Sequence, residues 1–137
     1  MLKRKSLTLV EILVVVVIIG TIAALAWPNY VAIKEKALNK EANASLALIR
    51  AAEKIYRLEQ GFYFPYVAST GVIADINNYL KISLSENATR SWTVNVNSVA
   101  PTEFATVTRT GTGADGRQWS INFPGDTAVC AGNVACP

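Results

Sequence analysis

The side chains in this sequence that could take part in chemistry lie towards its two ends. Near the start, Ser6-Leu7-Thr8-Leu9-Val10-Glu11 sets one carboxylate at the head of an apolar run, directly after the basic cluster Lys3-Arg4-Lys5. An ionisable group inside a membrane-spanning segment costs about 2.5–3.5 kcal/mol near its centre and less near its end, so Glu11 needs a specific partner. Near the other end stand the two cysteines, Cys130 and Cys136. They cannot close a structural zinc site unaided, and their spacing is not the Cys-x-x-Cys of a redox pair. There is no histidine, which removes imidazole bases, His-based triads and His-ligated metals. These features speak against an enzyme and require neither cofactor nor metal.

The hydrophobic pattern defines the element that must hold Glu11. Of the 137 residues 51% are hydrophobic, high for a soluble domain. The excess is concentrated in the 21 residues from Leu7 to Trp27, interrupted by Glu11. As a helix these would span about 31 Å, close to the hydrocarbon thickness of a bilayer. With Lys3-Arg4-Lys5 ahead of it, the positive-inside rule puts residues 1–6 in the cytoplasm and the chain beyond Trp27 outside. A secretory signal with Ala24-x-Ala26 as its cleavage match, or a plain signal anchor, would account for the apolar run. Neither supplies Glu11 with a partner.

The stretch Ser6-Leu7-Thr8-Leu9-Val10-Glu11, between a basic leader and an apolar helix, resembles the class III signal of type IV prepilins and of the related pseudopilins. Gly20 within the apolar helix and Pro28 just after it add to the resemblance. Ser6 stands where that family usually has Gly, and Leu7 where Phe or Met is commoner. The resemblance implies that a prepilin peptidase cuts between Ser6 and Leu7 and methylates the new amine of Leu7. It implies assembly roles for Thr8, Glu11, Gly20 and Pro28. In a bundle of such helices, Glu11 of one subunit would pair with the α-ammonium of its neighbour, a pair whose breaking costs about 3–5 kcal/mol when buried. The family also implies that the helix between Gly20 and Pro28 loses regularity on assembly, in keeping with the roughly 1 kcal/mol lower helix preference of Gly relative to Ala.

Beyond Trp27, Pro28 removes one helical hydrogen bond and predicts a kink. Apolar positions Leu38, Ala42, Ser45, Leu48/Ile49, Ala52 and Ile55/Tyr56 then predict an amphipathic helix running to Gln60, capped by Gly61. A second ridge, Lys36, Lys40, Asn43, Ala47, Arg50, Lys54 and Arg57, reads as a solvated face with Glu35, Glu41, Glu53 and Glu59 interleaved. A contact stripe for acidic neighbours or phosphates is the competing reading. The aromatic run Gly61-Phe62-Tyr63-Phe64-Pro65-Tyr66 reads as a cover for the core. Val72/Ile73, Ile76 and Tyr79/Leu80 fit one short helix. Asn87-Ala88-Thr89 and Asn43-Ala44-Ser45 match a glycosylation sequon, a frequent chance match.

The period then changes to two. Trp92, Val94 and Val96, then Ala105 and Val107, then Trp119, Ile121 and Phe123 predict a three-stranded antiparallel meander with room for a fourth short strand, packed on residues 30–60. The Gly-x-Gly at Gly111 to Gly113 sits at a hairpin position with no helix after it, which argues against a phosphate cradle. Outside the membrane a Cys130–Cys136 disulfide is chemically permitted, and closing a seven-residue loop contributes about 2.4 kcal/mol in the chain-entropy model. A C-terminal disulfide-bounded loop also resembles the pilin family's.

The expected fold is therefore α+β and pilin-like, with a long N-terminal helix, half transmembrane and half amphipathic, on a small antiparallel sheet. Its segments are a leader (1–6), an apolar helix (7–28), an amphipathic continuation (29–60) and a head with a disulfide-closed tail (61–137). The resemblance implies a structural pilin of a type IV pilus, waiting in the bacterial inner membrane with its head in the periplasm and then assembled outside the cell. Its expected partners are identical or homologous pilin subunits, the prepilin peptidase/methyltransferase, the inner-membrane assembly machinery and, before assembly, lipid. A pseudopilin of a type II secretion system is the alternative, disfavoured by the cysteine-bounded tail and by the lack of an Asp cluster near the C-terminus. A membrane-anchored, non-polymerising binding domain is a further one. The +3 formal charge resides in Lys3, Arg4 and Lys5, so it indicates orientation and not nucleic acid.

Overall fold

In this computed structural model the described residues are 8–86, 91–111, 113, 115–125 and 127–131. They divide into two compact units, one ending at Lys36 and the other beginning at Ala37. Helix α1 (Leu9–Gln60) is 52 residues long and continues through Gly20 and Pro28. In the first unit its large apolar side chains from Leu9 to Ile33 are all exposed, from 46% at Val31 to 80% at Leu9. Such a surface is unstable in water and suited to lipid or to other helices.

In the second unit α1 turns one face inward. Asn39, Ala42, Leu46, Ile49, Ala52 and Glu53 are buried, at the three- and four-residue steps of a helix face. The expected stripe is displaced: Leu38 and Tyr56 pack only partly, while Leu48 and Ile55 are exposed. A choice such as Leu48/Ile49 cannot be resolved by periodicity when both neighbours are apolar. Gly61 ends the helix at φ +86° and donates its N–H to the Arg57 carbonyl at 2.8 Å. Left-handed backbone of this kind favours glycine.

Helix α2 (Ile73–Leu80) buries Ile73, Ile76 and Leu80. Asn77 ties the chain that follows, its side-chain oxygen accepting the Leu84 N–H at 2.7 Å and its amide donating to the Leu84 carbonyl at 2.9 Å. The sheet has five antiparallel strands in chain order: β1 (Ser69–Thr70), β2 (Trp92–Asn97), β3 (Phe104–Arg109), β4 (Gln118–Asn122) and β5 (Val129–Ala131). The three strands with a readable period are β2 to β4. The flanking β1 and β5 have two and three residues, too few to show an alternation, so the sheet has two strands beyond the three that periodicity predicts and one beyond the fourth it leaves room for.

Register places Val94 opposite Val107 and Val96 opposite Ala105, with Ala105 opposite Ile121 in turn. Apolar partners thus meet on one face, the arrangement that fixes strand register. Val94, Val96, Ala105, Val107, Ile121 and Phe123 form one core with Leu46 and Ile49 of α1 and with α2.

Candidate functional site

Helix α1 opens with a reciprocal pair. Thr8 precedes the first helical residue; its hydroxyl accepts the Glu11 N–H at 3.3 Å, and the Glu11 carboxylate accepts the Thr8 N–H at 3.5 Å. This is a capping box, in which two backbone donors that a helix start leaves unsatisfied are satisfied by each other's side chains. The signal was present in the sequence as Thr8-x-x-Glu11 before an apolar run, and the motif has this second meaning beside any role in assembly. Glu11 is exposed. A carboxylate has about four lone-pair sites, so capping leaves it able to receive a further donor. It also places negative charge at the positive end of the helix dipole, which is stabilising.

Further along, Gly20 lies in regular helix, and a Cβ added there would meet nothing within 4 Å. The Thr21 hydroxyl donates to the Ile18 carbonyl at 2.9 Å, so its polar group needs no partner from outside. Among the described residues, α1 is the helix long and apolar enough to cross a membrane. Ser6 and Leu7 lie outside the described residues, as does the side chain of Pro28. Cys130 is the middle residue of β5 and is disulfide-bonded; Cys136 lies outside the described residues, as does Asn87.

The head carries a polar arrangement that sequence reasoning missed. Glu53, assigned to a solvated face by its interleaving with basic residues, is fully buried. Its Oε2 accepts the Phe64 N–H at 2.9 Å, and its Oε1 has no hydrogen-bond partner. Burial pushes the carboxyl up to about 7 against the opposing pull of the Phe64 N–H. One turn on, Arg57 donates to the Tyr63 hydroxyl at 2.8 Å with its guanidinium over the same ring. Arg50 donates to the Phe123 carbonyl at 3.4 Å. Two members of the basic ridge are therefore occupied by the head itself, while Lys36, Lys40 and Lys54 are exposed.

Glu53 and Arg57 together fasten the aromatic segment as it leaves α1. Tyr63 and Phe64 are buried, Phe64 stacking on Tyr79 with ring centroids 4.8 Å apart. Phe62 and Tyr66 stand outside as an edge-to-face pair at 4.7 Å. The run covers the core with two of its rings and presents the other two to the exterior.

Comparison with known proteins bears on the first of these regions. The family model described as the prokaryotic N-terminal methylation motif matches residues 1–27. The type II secretion system core protein G of Escherichia coli (strain K12) is 39% identical over 61 residues, 44% of this chain and 42% of that protein. The type IV major pilin protein PilA of Myxococcus xanthus (strain DK1622) is 29% identical over 76 residues, 56% of this chain and 34% of that protein. The chain thus carries that methylation motif and is similar, over about half of its own length, to a type II secretion core protein and to a type IV major pilin. It spans less than half the length of these curated relatives. No solved structure matches it. The motif ends within the exposed part of α1.

Proposed function

We propose that the chain is a structural, non-catalytic subunit of a type IV pilus. The precursor is anchored in the inner membrane by residues 7–28 with residues 29–137 in the periplasm. Prepilin peptidase cuts between Ser6 and Leu7 and methylates the new Leu7 amine. The inner-membrane assembly machinery then transfers the subunit from lipid into an extracellular filament of identical or homologous subunits. Cys130 and Cys136 close the tail of the head as a disulfide, and Thr8, Glu11, Gly20 and Pro28 serve assembly.

The observation that carries this reading is the coincidence, within residues 1–27, of the N-terminal methylation motif with a helix whose large apolar side chains are exposed. Lipid tails are as apolar as the side chains they contact, so transfer into a filament is not driven by escape from water. It depends on close helix packing and on charges that find partners. Cutting after Ser6 leaves the Thr8–Glu11 capping box intact, because the Leu7–Thr8 peptide bond survives, and brings an α-ammonium beside it.

The test is N-terminal sequencing and mass spectrometry of the exported chain, with electron microscopy of sheared surface fibres. A methylated Leu7 start and fibres containing the chain are expected. A start at Met1 would reduce the chain to a signal anchor, and one near Trp27 would make it a secreted protein. A second reading, a pseudopilin of a type II secretion system, is favoured by similarity to core protein G from several bacteria, among them Klebsiella pneumoniae at 36% over 63 residues. Loss of protein secretion on deletion, without loss of surface fibres, would select it.

A further inference from the structure

Where α1 leaves its apolar stretch, the side chains change type in a fixed order along the axis. Up to Leu25 the large exposed ones are aliphatic. Trp27 and Tyr30 follow, exposed by 74% and 67%, with Val31 and Ile33 beside them. Lys34 and Lys36, both exposed, come next. Trp27, Tyr30 and Lys34 are three and four residues apart, so they share one face of the helix. Glu35 lies between the two lysines, which leaves this segment with a net positive charge.

Membrane dimensions match that order. From Leu9 to Trp27 the helix rises about 28 Å, close to the roughly 30 Å of a hydrocarbon core. With Leu9 at the inner edge of the core, Trp27 reaches the outer edge. Tyr30 then lies within a headgroup layer about 5–8 Å deep, and Lys34 stands about 10 Å beyond Trp27. Helical side chains lean towards the helix N-terminus, which on this side points into the membrane. Lys34 and Lys36 therefore reach back towards the lipid phosphates, their apolar stems lying along the helix. Indole and phenol rings, apolar in body and polar at one edge, concentrate at the same level.

We propose that Trp27, Tyr30, Lys34 and Lys36 form an interfacial belt that fixes the depth of the waiting precursor and takes anionic phospholipid headgroups at the outer face of the inner membrane. This rests on the proposed reading of the chain as a membrane-anchored precursor, and adds the lipid chemistry that it selects. The aromatic pair sets the depth, because each ring needs apolar contact and a polar partner at once. The lysines set the choice of lipid. One net positive charge beside an anionic leaflet corresponds to about a fivefold preference. A common depth means that waiting subunits meet the assembly machinery in one vertical register.

The test uses the full-length chain reconstituted in phospholipid vesicles. Flotation with the vesicles at alkaline pH checks insertion, and a chain that does not float would sink both the membrane reading and the belt. Trp92 and Trp119 also fluoresce, so the Trp27 signal is the difference between the chain and its Trp27→Phe variant. Phosphatidylcholines brominated at successive acyl depths should quench that signal most where the bromines lie nearest the headgroup. Strongest quenching from the bilayer centre, or none at any depth, would overturn the belt and leave insertion intact. In mixed vesicles, brominated phosphatidylglycerol should contact Trp27 about five times more readily than brominated phosphatidylcholine at equal mole fraction. Trp27 reports its own leaflet, so Lys3-Arg4-Lys5 at the other end of the span does not contribute. Lys34→Gln/Lys36→Gln should remove the preference. Equal quenching by the two lipids in the unsubstituted chain would overturn the choice of anionic headgroups, and a preference that survives the double substitution would overturn its assignment to these lysines.

Discussion

Glu53 has no exposed surface, one oxygen taking the Phe64 N–H and the other without a hydrogen-bond partner. A carboxyl held at about 7 against an ordinary 4.5 keeps its proton in the folded chain over a range where the unfolded chain has lost it. Its contribution is therefore complete below about pH 4.5 and declines as pH rises towards 7, by about 3 kcal/mol in all. Denaturant unfolding of the full chain in detergent at about pH 5 and about pH 8 should show this decline, and Glu53→Gln should flatten it. An equal decline in the variant would place the effect elsewhere. Glu11 presents the opposite case, an exposed carboxylate in a capping box. Glu11→Gln retains a side-chain acceptor for the Thr8 N–H and removes the charge. It should leave helix α1 formed by circular dichroism but reduce fibre yield; undiminished fibres would exclude an ion pair in assembly. Chemical type and spacing made Thr8 and Glu11 legible before any fold was known. Glu53 was not, because a carboxylate among lysines and arginines on a helix reads as solvated until the face it lies on is fixed.

At the level of elements, α1 was readable in length and cap, since Gly61 and the apolar run are unambiguous, but its inward face was not. Leu46, Ile49 and Glu53 point to the core while Leu48 and Ile55 do not, a rotation that only the partner surface can select. Ile49→Ala should cost about 2–5 kcal/mol and Leu48→Ala less than about 1 kcal/mol. Similar losses from the two in denaturant unfolding would contradict this face. Strands β2 to β4 were legible from their alternation, and β1 and β5 were invisible because their pairing is supplied by neighbours and not by their own pattern. Gly20 gives a separate element-level test. Among the described residues nothing lies within 4 Å of a Cβ added there, so Gly20→Ala should raise the stability of the isolated helix by up to about 1 kcal/mol. If assembly loosens the helix there or packs it closely against neighbours, the same change should lower fibre yield. Normal fibres would assign Gly20 no part in assembly.

For the whole molecule, residues 7–137 hold equal numbers of basic and acidic side chains, whereas the entire chain has a surplus of three basic ones and a pI near 9.0. Removal of the leader should therefore shift the membrane precursor from about pH 9.0 towards neutrality on isoelectric focusing, and unchanged focusing of fibre-derived subunits would argue against the cut.

The sheet has a bearing on how such a subunit survives crowding. Its outermost strands are two and three residues long. Just beyond β1 the chain presses so closely on β2 that a Cβ at Gly71 would lie 3.1 Å from the Val94 carbonyl oxygen. At the opposite margin, β5 is anchored through its disulfide-bonded Cys130. Long, bare strand margins are templates for amyloid-like stacking. Margins this short offer little template for such stacking, so the head is expected to resist cross-β aggregation when many copies are crowded together.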